Sequence, residues 1–161
     1  DAEDGVLFFS SSVGTIETLS LPSLNLIRSI STSPVSHFSI SFDSSGRHFA
    51  LGGGGASFSL WDSNNLVCLK EFNEIQSSVN AVSFSSDGKF LAAGSSDDSL
   101  VVGDAETGLI AFKFKVGASS DHAVSSVAFN PKFPLLAYSL AHTDSVFVLG
   151  HRPQLPLSQP K

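Results

Sequence analysis

The chain has 161 residues, 42% of them hydrophobic and 15% charged, which is enough apolar material for one packed domain and too much for a disordered one. A net charge of −6, with nine basic residues that form no run, argues against direct binding to a phosphate backbone. The single cysteine, Cys68, rules out an internal disulfide scaffold, and no apolar stretch approaches the length of a membrane helix.

Taken in order, the chain reads as four units of short strands, labelled a to d from the inside of each unit outward. The first unit has b, c and d over residues 6–10, 15–21 and 24–30, with no a before them. The second is complete, over 37–42, 48–52, 57–61 and 66–72, and so is the third, over 79–84, 90–94, 100–103 and 109–116. The fourth offers a, b and c over 124–129, 135–139 and 145–149 and no d. After Gly150 the run HRPQLPLSQPK has three prolines, which lack the N–H a ladder needs, so 151–161 reads as an extended tail following blades over 1–150.

The units repeat. Phe42, Phe84 and Phe129 close equivalent strands at spacings of 42 and 45. Gly46 and Gly88 occupy equivalent turns, Gly52 and Gly94 follow at equal distance, and Trp61-Asp62 and Gly103-Asp104 close successive third strands. Helical periodicity is weak, while turn signals recur every eight to twelve residues, the pattern of an all-β assembly.

A repeat of this length, with four strands and a Trp-Asp pair closing the third, resembles the WD40 family of β-propellers. The resemblance implies an all-β fold of about 3.5 four-stranded blades over residues 5–150, close to half of a seven-bladed ring. It also implies that the open ends meet either a missing half-propeller or a second copy, because natural sheets cover their edges. The absence of methionine agrees with a processed or truncated chain. The family's buried polar set is eroded here. Only Asp97 survives as turn aspartate, Gly103 stands where its unit should have tryptophan, Gly55 stands at the aspartate position beside Trp61, and no unit has Gly-His. Apolar packing is therefore expected to hold the blades.

The words Leu21-Pro22-Ser23-Leu24, Ala105-Glu106-Thr107-Gly108 and Asn130-Pro131-Lys132-Phe133-Pro134 are similar to the THO-complex propeller branch of the family. That branch implies a nuclear, non-catalytic scaffold in an assembly coupling transcription to mRNA processing and export, with protein subunits as partners and RNA met through them. The alternative, carried by Phe42-Asp43-Ser44-Ser45-Gly46, is the substrate-receptor propeller of a spliceosome-associated ubiquitin ligase.

Catalytic readings find little support. Gly52–Gly55 lacks the Lys-Ser/Thr and the helix of a phosphate-binding loop and reads as a flexible b–c turn. The five histidines never fall at metal-ligand spacing, no Gly-x-Ser-x-Gly elbow occurs, and no cofactor is implied. Asp97-Asp98 could hold a cation, but backbone capping in a turn explains the pair more simply. Trp61 is expected in blade-to-blade packing, Cys68 as a small apolar residue, and Arg28, Lys70, Lys113 and Lys115 as guards of outer edges. His122, with Asp121 beside it in a d–a loop, is the candidate partner contact.

Overall fold

A computed structural model describes residues 5–116 and 122–150. The tail expected over 151–161, and Asp121, lie outside them. The described residues form four antiparallel sheets and no helix, so no helix is long and apolar enough to cross a membrane.

Blade 1 contains β1 (Val6–Ser10), β2 (Thr15–Ser20) and β3 (Leu26–Ser31); blade 2 contains β4 (His37–Phe42), β5 (His48–Gly53), β6 (Phe58–Asp62) and β7 (Val67–Phe72). Blade 3 contains β8 (Val79–Phe84), β9 (Phe90–Ser95), β10 (Ser99–Asp104) and β11 (Ile110–Lys115), and blade 4 contains β12 (Val124–Phe129), β13 (Leu135–Leu140) and β14 (Val146–Gly150). Each sheet is a meander in chain order, with three, four, four and three strands. This is the partial β-propeller that the repeats imply.

Local chemistry fixes the turns. Gly46 and Gly88 take φ of 69° and 71° in the a–b turns, where a side chain would be strained. In the c–d turns Asp62 Oδ1 accepts from the amides of Asn64 and Asn65 at 3.0 and 2.7 Å. Asp104 Oδ1 does the same for Glu106 and Thr107, at 3.0 and 2.8 Å. The aspartate of the Trp-Asp pair is thus a turn cap, which explains why Asp104 persists where its tryptophan does not. Strands β3 and β7 begin later than the sequence reading has them because Leu24 and Leu66, both with φ 56°, precede the strands in left-handed turns.

Register shifts recur at equivalent places. In the a–b ladders they fall at His37/Ser39, Val79/Ala81 and Val124/Ser126; in the c–d ladders at Thr18/Leu19, Leu60/Trp61 and Val102/Gly103. A bulge sharpens the right-handed twist of a strand pair, and each blade is twisted by the same device.

The core lies in the seams between blades. Ile16, Phe49, Leu51 and Trp61 fill the seam of blades 1 and 2. Phe58, Phe72, Val79, Leu91 and Val101 fill the next, and Leu100, Val124, Val127, Leu136 and Tyr138 the last. Small residues face the following blade: a side-chain carbon at Gly52 would meet Val79 Cγ1 at 2.5 Å, so this glycine is a close-approach position inside β5. Gly53 is likewise in β5, which corrects the reading of Gly52–Gly55 as wholly a flexible turn. Polar links join the innermost strands, with Val82 N donating to Ser39 Oγ at 3.1 Å and Phe129 N to Ser83 Oγ at 3.0 Å.

Candidate functional site

His122 sits where blade 4 begins, at the seam with blade 3. Its backbone amide donates to Asp98 Oδ1 at 3.2 Å, and Asp98 is buried in a turn at φ 63°. Its Nδ1 is buried without a hydrogen-bond partner among the described residues. Nearby, Asn80 Nδ2 donates to Val124 O at 2.9 Å and Asn80 Oδ1 accepts from Ser96 Oγ at 3.1 Å. The geometry assigns His122 and Asp98 a joint between two blades. Asp97 caps the same turn, accepting from Ser99 N at 3.1 Å.

Of the other marked residues, Trp61 lies in a seam, three cations bond loop carbonyls and Cys68 is exposed. Trp61 is buried, lies parallel to Phe49 with ring centroids 6.1 Å apart, and donates from Nε1 to Ser59 Oγ at 2.7 Å. Lys115 Nζ donates to Asp97 O at 2.8 Å, Lys113 Nζ to Glu74 O, and Arg28 Nη1 to Asn64 O at 3.1 Å. These cations therefore tie outer strands to neighbouring loops instead of forming a free basic rim. Cys68 is exposed as a residue on β7, but partial burial of its sulfur together with Glu71 pushes its thiol up, away from the reactive thiolate.

Two arrangements resemble catalytic ones and fail on geometry. Ser45 Oγ and His48 Nδ1 both bond Asp43 Oδ2, at 2.8 and 3.1 Å. A nucleophilic triad needs the serine on the histidine, so this is an aspartate-capped turn. His37 Nε2 is 2.5 Å from Thr32 Oγ1, and burial lowers its pKa. The Thr32 hydroxyl donates to Gly14 O at 2.9 Å and so accepts from the imidazole instead of giving it a proton, while Ser57 Oγ in the same small cleft donates to Glu71 at 3.0 Å with no histidine on it. Among the described residues no three His, Cys, Asp or Glu side chains form a group able to hold a metal.

The turn carboxylates make a pH prediction. Burial acts to raise Asp43 and Asp97, but hydrogen bonds outweigh it: Ser45 and His48 hold Asp43 below its ordinary value, and Ser95 and Ser99 hold Asp97 below its own. A carboxylate depressed on folding stabilises the fold above its unfolded pKa, and that contribution is lost as pH falls through the folded value. Urea midpoints should therefore drop on acidification below the ordinary value of 3.8, and the Asp43→Asn,Asp97→Asn protein should show a shallower drop. Identical acid profiles for the two proteins would refute this.

A groove of about 720 Å³ lies between blades 3 and 4 at their outer rim. Phe112 and Phe114 of β11 form one wall, Phe129, Phe133 and Leu149 the other, and Asp87 and Lys132 stand among the lining residues. Phe112 is 59% exposed. Such a surface suits binding of apolar side chains and carries no chemistry of its own. Sequence reasoning missed it, although the alternation Phe112, Phe114 on β11 and the uncharged run of β14 were visible.

Residues 66–104 match the family "WD domain, G-beta repeat". The chain is 33% identical over 132 residues to THO complex subunit 3 of Arabidopsis thaliana, across 82% of this chain and 41% of that protein. It therefore spans about two fifths of the relative's length.

Proposed function

The chain is a WD40-repeat protein, and from that premise we propose that it serves as a non-catalytic interaction scaffold within a nuclear THO-type complex. The observation that supports this most is the 33% identity to THO complex subunit 3. Protein subunits of the same complex are its partners, and the complex couples transcription to mRNA processing and export. RNA is met through those subunits, since a net charge of −6 repels a phosphate backbone and Arg28, Lys113 and Lys115 are tied to carbonyl oxygens. The ubiquitin-ligase alternative gains no support from this relative.

Affinity purification of the protein from nuclear extract, read by mass spectrometry, should recover THO subunits. Recovery of membrane-traffic or cytoskeletal proteins without RNA-export factors would overturn the assignment. Filter binding to single-stranded RNA at low salt should give no retention; retention would make the protein a direct RNA binder.

A further inference from the structure

The seam of blades 1 and 2 is not filled as the next one is. The repeat spacing of 42 aligns blade 2 with blade 3, so Ser33 answers to Ile75, Ser59 to Val101 and Glu71 to Lys113. The ladders agree, since Ser59 pairs with Glu71 as Val101 pairs with Lys113. Ile75 and Val101 are buried in the core of the blade 2–3 seam. Where Ser33 and Ser59 replace them, the structure has a cleft of about 270 Å³. Its lining residues lie between positions 32 and 71, in blade 2 and the loop leading into it.

The cleft spends most of its donors on itself. Thr32 gives its hydroxyl hydrogen to Gly14 O at 2.9 Å, and His37 Nε2 donates to Thr32 Oγ1 at 2.5 Å. Ser57 Oγ donates to Glu71 at 3.0 Å and Trp61 Nε1 to Ser59 Oγ at 2.7 Å. What is left is weighted to acceptors: the other lone pairs of the Glu71 carboxylate, and Nδ1 of a histidine whose burial favours the neutral ring. Among the described residues Glu71 has no ion-pair partner. In the neighbouring seam its place is taken by Lys113, whose ammonium donates to the backbone carbonyl of Glu74. The equivalent carbonyl is that of Thr32, a residue lining the cleft. One seam thus has a built-in cation where the other has a carboxylate.

We propose that this cleft receives an arginine side chain of a partner protein, its guanidinium paired with Glu71 and donating its remaining hydrogens to His37 Nδ1 and Thr32 O. A guanidinium brings five donors and no acceptor, which suits a site left with acceptors. Its planar fork serves several of them at once, whereas an ammonium is a compact, strongly hydrated point charge. The indole of Trp61 borders the cleft and supplies aromatic surface that favours a guanidinium. An apolar side chain would leave the carboxylate desolvated and unpaired. The net charge of −6 draws a cationic segment toward the site.

This deepens the scaffold reading and rests on it. The probe is the peptide acetyl-Gly-Arg-Gly-amide, titrated into the 161-residue protein and read by the indole N–H shift and the fluorescence of Trp61, the chain's one tryptophan. Saturable binding with a Kd of about 1 mM is expected, weaker by about fivefold or more when lysine replaces the arginine of the peptide. Glu71→Gln, at an exposed position and with an acceptor kept for Ser57, should weaken binding about tenfold or more. Ser33→Ile, which copies Ile75, should abolish binding by filling the cleft and leave the urea midpoint unchanged or raised. No saturable shift, equal affinity for the lysine peptide, or binding that either substitution leaves unchanged would overturn the proposal. In nuclear extract, a Glu71→Gln protein that retains every partner would refute the cleft as a contact and leave the scaffold standing. An unaltered protein that recovers no THO subunit would refute the scaffold itself.

Discussion

Gly94→Ala is expected to destabilise the protein by about 1–2 kcal/mol, although replacing glycine in a strand normally helps. The usual gain, about 0.4–1 kcal/mol, comes from a stiffer unfolded chain. Here it is opposed by overpacking, which costs about 1–3 kcal/mol in a filled core. A methyl group at Gly94 would overlap Val124 Cγ1 and stand 2.9 Å from Val124 Cβ and 3.0 Å from Val127 Cγ1. Val124 is fully buried, and β12 cannot retreat without opening the blade 3–4 seam. Thermal melts should show a loss of about 2–8 °C for a chain of this size. Pairing the change with Val124→Ala should make the two effects non-additive, the double variant being more stable than the summed single losses. Strict additivity, or a rise in melting temperature, would show that Gly94 is not a close-approach position. Gly46 supplies the contrast: nothing lies within 4 Å of a side chain there, so Gly46→Ala costs only the strain of φ 69° and no neighbouring change should relieve it.

The glycine argument shows what the sequence made legible. The equal spacing of Gly52 and Gly94 was visible, and so was the fold, because strands punctuated by Gly-containing turns at spacings of 42 and 45 admit few other arrangements. The reason for the glycines was not visible. It lies in Val79 and Val124 of the following blade, some thirty residues away along the chain. Leu24 and Leu66 hid their left-handed turns for a related reason: an apolar residue after a polar run looks like the start of a strand, and only its equivalence to Gly108, at φ 77°, gives it away. His122 was found as a notable residue; the bond from its backbone amide to Asp98 Oδ1, across the seam of two blades, was not visible in the sequence. The rim groove escaped notice because it belongs to no segment. It arises where β11 extends past a sheet of three strands.

Restoring tryptophan in blade 3 should fail unless Phe72 is removed. At the blade 1–2 seam Trp61 packs with Ile16 and Ile30. At the blade 2–3 seam the equivalent positions are Gly103, Phe58 and Phe72, with the two phenylalanines stacked at 4.5 Å. A side-chain carbon at Gly103 would overlap Phe72 Cε1 and fall 2.8 Å from its Cδ1. Volume has thus been exchanged between facing blades, two larger residues on one side for a glycine on the other. Close packing demands such compensation once the tryptophan is gone. Gly103→Trp alone should cost about 3 kcal/mol or more by overpacking. Phe72→Ala alone, at a site only 1% exposed, should cost about 3–5 kcal/mol by leaving a cavity. The Phe72→Ala,Gly103→Trp protein should recover up to about 3 kcal/mol of the summed losses, because each change fills or vacates the space of the other. Urea unfolding of the four proteins measures the coupling directly. If the double variant is as unstable as the sum, the seams are not exchanging volume, and the loss of the tryptophan in blade 3 has some other cause.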